Sequence, residues 1–142
     1  MAIDEYLVSW HGRTGMPVFR VYGWSPPAIS LGRYQEIDCL DHEACRADGV
    51  DVVRRITGGG AIYHCSELTY SLVFANEDLN DKPMDVPESY NKINRFLILF
   101  YRWLGFQASY SGDGGADVHT VGRADFCYSG KERYDILIGG KK

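Results

Sequence analysis

The sequence has 142 residues, 45% hydrophobic and 24% charged, the proportions of a folded globular chain and not of a disordered one. Nineteen acidic against fifteen basic residues give a net charge of −4, which argues against general nucleic-acid or polybasic membrane binding. The longest apolar run, Phe96 to Tyr101, stops at Arg102, far short of the ~18 residues of a membrane span.

In chain order, Ile3, Tyr6, Leu7 and Trp10 share one helical face and predict a helix over residues 3–10. Val18 to Tyr22, rich in β-branched and aromatic residues, predicts a strand. Trp24-Ser25-Pro26-Pro27 interrupts it, and Ala28 to Leu31 predicts a second. A helix is expected over Asp38 to Asp48, with Gly49 in the left-handed position behind it. Val50 to Arg54, Ala61 to Tyr63 and Leu68 to Phe74 predict three more strands. Asn76 to Pro87 is the most linker-like stretch, short enough to be a loop within one domain. Tyr90, Ile93, Leu97, Phe100 and Leu104 predict a helix over Pro87 to Leu104, stopped by Gly105. Phe106 to Tyr110 and Tyr134 to Ile138 predict strands, on either side of a polar, glycine-rich loop from Ser111 to Arg133. The final Ile138-Gly139-Gly140-Lys141-Lys142 reads as the middle of a hairpin. Hairpin-like groups of strands with interspersed helices predict an α+β fold, with a mixed, largely antiparallel sheet flanked by helices.

The acidic start, Met1-Ala2-Ile3-Asp4-Glu5, offers no basic region of a signal peptide. Cys39, Cys45, Cys65 and Cys127 form no CxxC pair, which favours thiols in a reducing cytosol over a disulfide framework. Cys39 and Cys45 are expected in one helix, on different faces. No His/Cys cluster has zinc spacing. These readings together predict a cytoplasmic protein and assign no metal-ligand residues.

The most informative segment is Arg54-Arg55-Ile56-Thr57-Gly58-Gly59-Gly60-Ala61-Ile62-Tyr63-His64. Three glycines between two strands allow close backbone approach to a ligand and can turn N–H groups inward. A preceding arginine offers a guanidinium to a phosphate or carboxylate. Strand alternation sends Arg54 and Arg55 to opposite faces, so one of them reaches the site. The segment is neither a P-loop nor a dinucleotide fingerprint, because GxxxxGK[ST] is missing and no helix signal follows. A glycine-rich hairpin turn with a surface arginine is the alternative.

Arg55-Ile56-Thr57-Gly58-Gly59-Gly60-Ala61-Ile62-Tyr63-His64 resembles the R-x-[ST]-G-G-G/R-A-V-x-H signature of lipoate–protein ligase A and its octanoyltransferase relatives, within the biotin/lipoate protein ligase superfamily. Four further segments resemble family motifs in the same order: Met1 to Glu5, Tyr22 to Gly32 with Gln35, Glu67 to Ser71, and Tyr134 to Lys142. The resemblance implies a biotin/lipoate ligase-like catalytic domain. It also implies acyl transfer to a lysine of a lipoyl-carrier domain, such as those of 2-oxoacid dehydrogenases or the glycine cleavage H protein. Ligases use ATP, with Mg²⁺, to make lipoyl-adenylate. Octanoyltransferases take octanoyl from acyl-carrier protein through a cysteine thioester. Biotin ligases resemble the fold but carry a more arginine-rich glycine loop.

On that resemblance, Thr57, Gly58, Gly59, Gly60 and Ala61 line the acyl group and its activated carbonyl, and Arg55 sits near an adenylate phosphate or carboxylate. His64 closes the signature as a general base or as a hydrogen-bonded structural histidine. Tyr70 and Ser71 alternate on a strand, so one faces the substrate. Lys142 polarises the acyl carbonyl; its alternative is a solvated lysine. Cys127, in Asp125-Phe126-Cys127-Tyr128, resembles the acyl-accepting cysteine of the transferase branch; its alternative is an inert buried thiol. A nearby lysine such as Lys142 would lower its pKa. Cys65 and His64, adjacent on a strand, face opposite sides and make a poor dyad.

The branch clues conflict. The triple glycine looks closer to the ligase, whereas His64-Cys65-Ser66-Glu67 in place of H-D-x-G-N looks closer to the transferase. The resemblance also implies that residues 1–142 are the N-terminal part of a catalytic domain nearly twice as long. A non-catalytic fragment or subunit that binds lipoyl domains is the remaining alternative.

Overall fold

The computed structural model describes residues 1–79, 82–114, 126–129 and 133–142. They form two compact units, one of residues 1–79, 82 and 126–127, the other of residues 83–114, 128–129 and 133–142. Of the predicted polar loop from Ser111 to Arg133, residues 115–125 and 130–132 lie outside the described residues, as do residues 80 and 81 of the linker-like stretch.

The first unit opens with helix α1, Ala2–Thr14. Asp4 and Glu5 in its first turn and His11 and Arg13 in its last suit the helix dipole. It ends at Gly15, whose φ of 67° lets its N–H reach back to the His11 carbonyl at 2.7 Å. Strand β1, Val18–Tyr22, pairs antiparallel with β5, Thr69–Val73, in a register that sets Arg20 opposite Ser71. Asp4 is the one buried residue of α1, and it joins the helix to this ribbon. Its carboxylate accepts from Arg20 Nη1 at 2.7 Å, Ser71 Oγ at 2.8 Å and the Tyr22 hydroxyl at 3.3 Å. Burial alone would raise the Asp4 pKa, but the hydrogen bonds and the Arg20 charge outweigh it and hold the carboxyl below its ordinary value.

Strand β2, Ala28–Leu31, is the centre of a three-stranded sheet. β3, Asp51–Arg54, lies parallel to it on one side, and β4, Ile62–His64, antiparallel on the other. Flanked on both sides, β2 buries Ala28, Ser30 and Leu31. The parallel β2–β3 pair requires a crossover, and residues 32–50 make it. A helix over Asp38 to Asp48 is predicted there. The structure instead has a 3₁₀ turn, Ile37–Cys39, and a short α2, His42–Ala47. Leu40 between them is extended (φ −115°, ψ 144°), and Asp41 caps α2 by accepting from the Ala44 N–H. The N-cap aspartate thus splits the expected helix, and Cys39 and Cys45 belong to different elements. Gly49 takes the expected left-handed conformation at φ 66°. A further short helix, α3, Asn76–Leu79, occupies part of the stretch expected to be loop.

The second unit is built on α4, Val86–Trp103, close to its predicted span. Its start is fixed by a capping box in which the Asp85 carboxylate accepts from the Glu88 N–H and Glu88 reciprocates to the Asp85 N–H. Asp85→Ala is expected to cost about 1 kcal/mol, measurable by urea denaturation; a loss below a quarter of that would show the cap to be idle. Strands β6, Ala108–Tyr110, and β7, Ile136–Ile138, pair antiparallel. Asn94 donates to the Tyr134 carbonyl, the Tyr110 hydroxyl to the Asn91 carbonyl, and Arg102 Nε to the Ala108 carbonyl. These bonds hold α4 against the ribbon. After β7, Gly139 and Gly140 both have positive φ (58° and 79°), and Ile138 and Lys141 exchange backbone hydrogen bonds. That is the two-residue hairpin turn the Gly-Gly pair predicts. Among the described residues no helix is long and apolar enough to cross a membrane.

Candidate functional site

The segment between β3 and β4 carries the glycines. Its entry is tied to the end of β2, where the Arg55 N–H donates to the Leu31 carbonyl and the Arg33 N–H to the Thr57 carbonyl. The Arg55 guanidinium then folds back over the loop. Nη1 donates to the Ser30 carbonyl (2.8 Å) and Ser30 Oγ (3.0 Å), and Nη2 to the carbonyls of Gly58 (3.0 Å) and Gly60 (2.7 Å). Gly59 between them has φ 95°, which a side chain would strain, and a Cβ there would stand 3.1 Å from Arg55 Nη2. Gly32 is pressed against the loop from β2, so that a Cβ would overlap the Gly59 carbonyl.

Arg54 goes to the opposite side, as alternation predicts. Its Nη1 donates to the carbonyls of Gly32 (2.8 Å) and Gln35 (2.6 Å). Arg55, expected beside an anion, is here a brace for the loop, because four inward-facing acceptors engage its two terminal nitrogens. With the Thr57, Gly58 and Gly60 carbonyls all engaged, the loop is held from its acceptor side. Among the described residues, the amides of Gly58, Gly59 and Gly60 make no hydrogen bond. The loop therefore offers donors to a ligand carbonyl or oxyanion. Thr57, Gly58 and Gly59 are exposed, Gly60 is half-buried and Ala61 fully buried.

Cys127 is tied to the exit of this loop. Phe126 bridges to Ala61 in a parallel pairing, and the Cys127 N–H donates to the Ala61 carbonyl at 2.9 Å. The chain thus carries a half-buried thiol residue to the position after Gly60, from 66 residues later in sequence. Asp125, which precedes it in the motif, lies outside the described residues. The four cysteines are thiols.

His64 is buried at the end of β4 and stacks on Trp24, with ring centroids 4.1 Å apart. Nε2 meets Ser30 Oγ at 2.7 Å, and Nδ1 meets Glu67 Oε1. Glu67 also accepts from the Cys65 N–H at 2.9 Å and the Thr69 hydroxyl at 3.0 Å, and Thr69 Oγ1 in turn accepts from Trp24 Nε1 at 2.8 Å. Cys65, just beyond the end of β4, is exposed, whereas His64 is buried. The sequence motifs contain Ser30, Gly32, Trp24, Glu67 and Thr69, but nothing in their spacing assigns them to the loop. The register does: Ala28 opposite His64 puts Ser30 and His64 on one face of the sheet, diagonal neighbours.

Partial desolvation pushes the Glu67 pKa up, but hydrogen bonds from His64, the Cys65 and Glu67 amides and Thr69 outweigh it and bring it from 4.5 down to about 2. Its contribution to stability is therefore full above the ordinary glutamate pKa and is lost as pH falls toward 2. Glu67→Gln is expected to flatten the acid limb of a Tm-against-pH curve between about pH 5 and pH 2. An unchanged acid limb in the variant would contradict this.

Tyr70 and Ser71, expected near substrate, lie on β5. Ser71 donates to Asp4 and serves the docking of α1, while Tyr70 stands exposed on the other face with its ring 6.1 Å from that of Phe19. Lys142 belongs to the second unit. There its Nζ pairs with Asp135 at 2.9 Å and lies 5.8 Å from the centre of the Tyr128 ring. Both members of the ion pair are largely buried. Among the described residues no three His, Cys, Asp or Glu side chains cluster to hold a metal ion.

The family model for the lipoyl protein ligase A/B catalytic domain matches residues 1–142. The chain belongs to this family. It is similar to the octanoyltransferase LipM of Symbiobacterium thermophilum, 41% identical over 147 residues that cover 100% of this chain and 52% of the relative. LipM of Geobacillus kaustophilus is 34% identical over 148 residues, again covering 100% and 52%. The chain spans about half the length of the curated relatives it matches. Its fold is similar to that of a lipoate-protein ligase A crystallised with ATP, with a TM-score of 0.63 over 87% of this chain and 44% of that one, at 24% identity. The lipoyl protein ligase A/B fold thus accounts for the mixed sheet, as the motif order implies.

Proposed function

We propose that the chain is the N-terminal part of a catalytic domain that transfers an octanoyl group from acyl-carrier protein to a lysine of a lipoyl-carrier domain. The observation that carries this reading is the tie between Cys127 and Ala61, which sets a cysteine against a loop whose three glycine amides make no hydrogen bond among the described residues. Relatives named octanoyltransferase favour the same branch.

In this reading the Cys127 thiolate attacks the carbonyl of the carrier-bound octanoyl thioester. The carrier thiol leaves, taking the proton Cys127 gave up, and octanoyl remains on Cys127. The amine of the acceptor lysine then attacks that thioester, an amide forms, and the Cys127 thiol is restored. At each step the carbonyl oxygen becomes an oxyanion, and the amides of Gly58, Gly59 and Gly60 are its donors. Within the second unit Asp135 holds the Lys142 ammonium. Arg55 keeps the loop in shape.

The test uses the purified chain, alone and joined to the second half of the S. thermophilum relative. Each protein is given an unmodified lipoyl domain with either octanoyl-acyl-carrier protein or lipoate, ATP and Mg²⁺. The expected result is octanoylation of one lysine with the carrier donor, read by intact mass. Modification only with lipoate and ATP would replace the thioester route by the adenylate route. No modification with either donor would leave a binding fragment as the better account.

A further inference from the structure

The hydrogen bonds around His64 form a directed chain that ends on the glycine loop. Arg55 Nη1 can only donate, so Ser30 Oγ accepts from it. The single hydroxyl proton of Ser30 then points to its other partner, His64 Nε2 at 2.7 Å. In that arrangement, which leaves no buried hydroxyl proton unpaired, Nε2 is the acceptor nitrogen and the imidazole proton sits on Nδ1, facing the Glu67 carboxylate. Glu67 is held as a carboxylate by two further donors, the Cys65 amide and the Thr69 hydroxyl. Trp24 closes the stack by lying on the imidazole and donating to Thr69. Ser30 and His64 are 1% and 5% exposed, so neither can meet a substrate as nucleophile or base without the sheet opening. The serine and histidine of this serine–histidine–glutamate series are buried in the core, and the glutamate closes it from the surface.

We propose that Ser30 and Glu67 are positioning residues for the acyl site. Glu67 fixes the His64 tautomer, His64 orients the Ser30 hydroxyl, and Ser30 holds the Arg55 guanidinium where its second nitrogen captures the Gly58 and Gly60 carbonyls. The loop amides then stay turned toward the reacting carbonyl. This deepens the acyl-transfer reading and rests on it for its kinetic consequence, but not for the hydrogen-bond chain itself. In this proposal His64 acts through the loop and not on the substrate.

Two measurements test it. In the ¹⁵N-histidine NMR spectrum of the purified chain, the ring proton of His64 is expected on Nδ1. Glu67→Ala is expected to lose that preference while its circular dichroism and cooperative unfolding persist. A His64 protonated on Nε2, or a Glu67→Ala variant that keeps the Nδ1–H tautomer, would overturn the proposal. In transfer assays of the joined protein, Glu67→Ala and Ser30→Ala are expected to lower kcat about tenfold to a hundredfold, with KM for the acyl carrier little changed, because a misplaced loop is felt in the transition state. Glu67→Gln, whose amide oxygen can still accept from Nδ1–H, is expected to recover most of the loss. Folded variants with wild-type kcat would overturn the positioning role. If the unsubstituted protein transferred neither acyl group, the functional reading would fall, and the NMR result alone would decide the network.

Discussion

Asp4→Ala is expected to lower the stability of the chain by about 3 kcal/mol, because it removes a buried carboxylate and leaves the partly buried Arg20 and two hydroxyl donors without their acceptor. For a chain of this size that corresponds to a drop in Tm of about 10 °C. The physical reason is concentration of function in one side chain. Asp4 is the only buried residue of α1, and Arg20, Ser71 and Tyr22 all donate to it. The exposed Ile3 and Tyr6 of the same helix bury too little apolar surface to replace it. Asp4→Asn keeps the shape and one acceptor, so it is expected to fall between the two. Its acid sensitivity follows from the sign of the shift. Asp4 is held below its ordinary pKa, so its contribution is present above the usual carboxylate range and fades as pH falls through it. Urea denaturation at neutral pH checks the magnitude, and a loss under about 1 kcal/mol, the level of an exposed pair, would contradict the account.

Cys127→Ala is expected to reduce octanoyl transfer from acyl-carrier protein about 10³-fold or more, the usual consequence of deleting a nucleophile. Cys127→Ser, with a far weaker nucleophile in the same place, should be nearly as inactive. Cys45→Ala, in the short α2, should retain the transfer rate. Because the cysteine is fixed by its backbone to Ala61, substituting its side chain leaves that hydrogen bond intact, so loss of activity without loss of fold is the expected pattern. Steady-state rates with octanoyl carrier, together with unfolding curves, check it. A folded Cys127→Ala variant at wild-type rate would remove the thioester route.

The elements set by local chemistry were legible in the sequence. α4 follows from the periodicity of Tyr90, Ile93, Leu97 and Phe100, and the hairpin turn from Gly139-Gly140. The glycine motif and the motif order around it were enough to point to the family. What was not legible, the break in the helix over Asp38 to Asp48 and the partners of the candidate site residues, depends on single local bonds and on long-range register. Asp41 falls inside the helix predicted over Asp38 to Asp48, and its acceptance from the Ala44 N–H starts α2 there instead. Arg55 reads as a guanidinium offered to a phosphate or carboxylate, or as a surface arginine beside a turn. Its engagement by the Gly58 and Gly60 carbonyls depends on how the loop folds back, which composition does not encode. Ser71 reads as one of two residues that could face substrate, and the partner that claims it, Asp4, is 67 residues away. Ser30 and Glu67 carry no signal of their own, because their roles arise only when β2 and β4 align Ala28 with His64.

The central claim is that the acyl group rests on Cys127 beside the glycine loop. Its most direct measurement is mass-spectrometric mapping of the joined protein, quenched in acid after mixing with octanoyl-acyl-carrier protein and no acceptor. The account predicts one octanoyl group, released by hydroxylamine and located on the peptide containing Cys127. Octanoyl on Cys39, Cys45 or Cys65 instead, or no acyl-enzyme while the acceptor lysine is nonetheless modified at the normal rate, would contradict it.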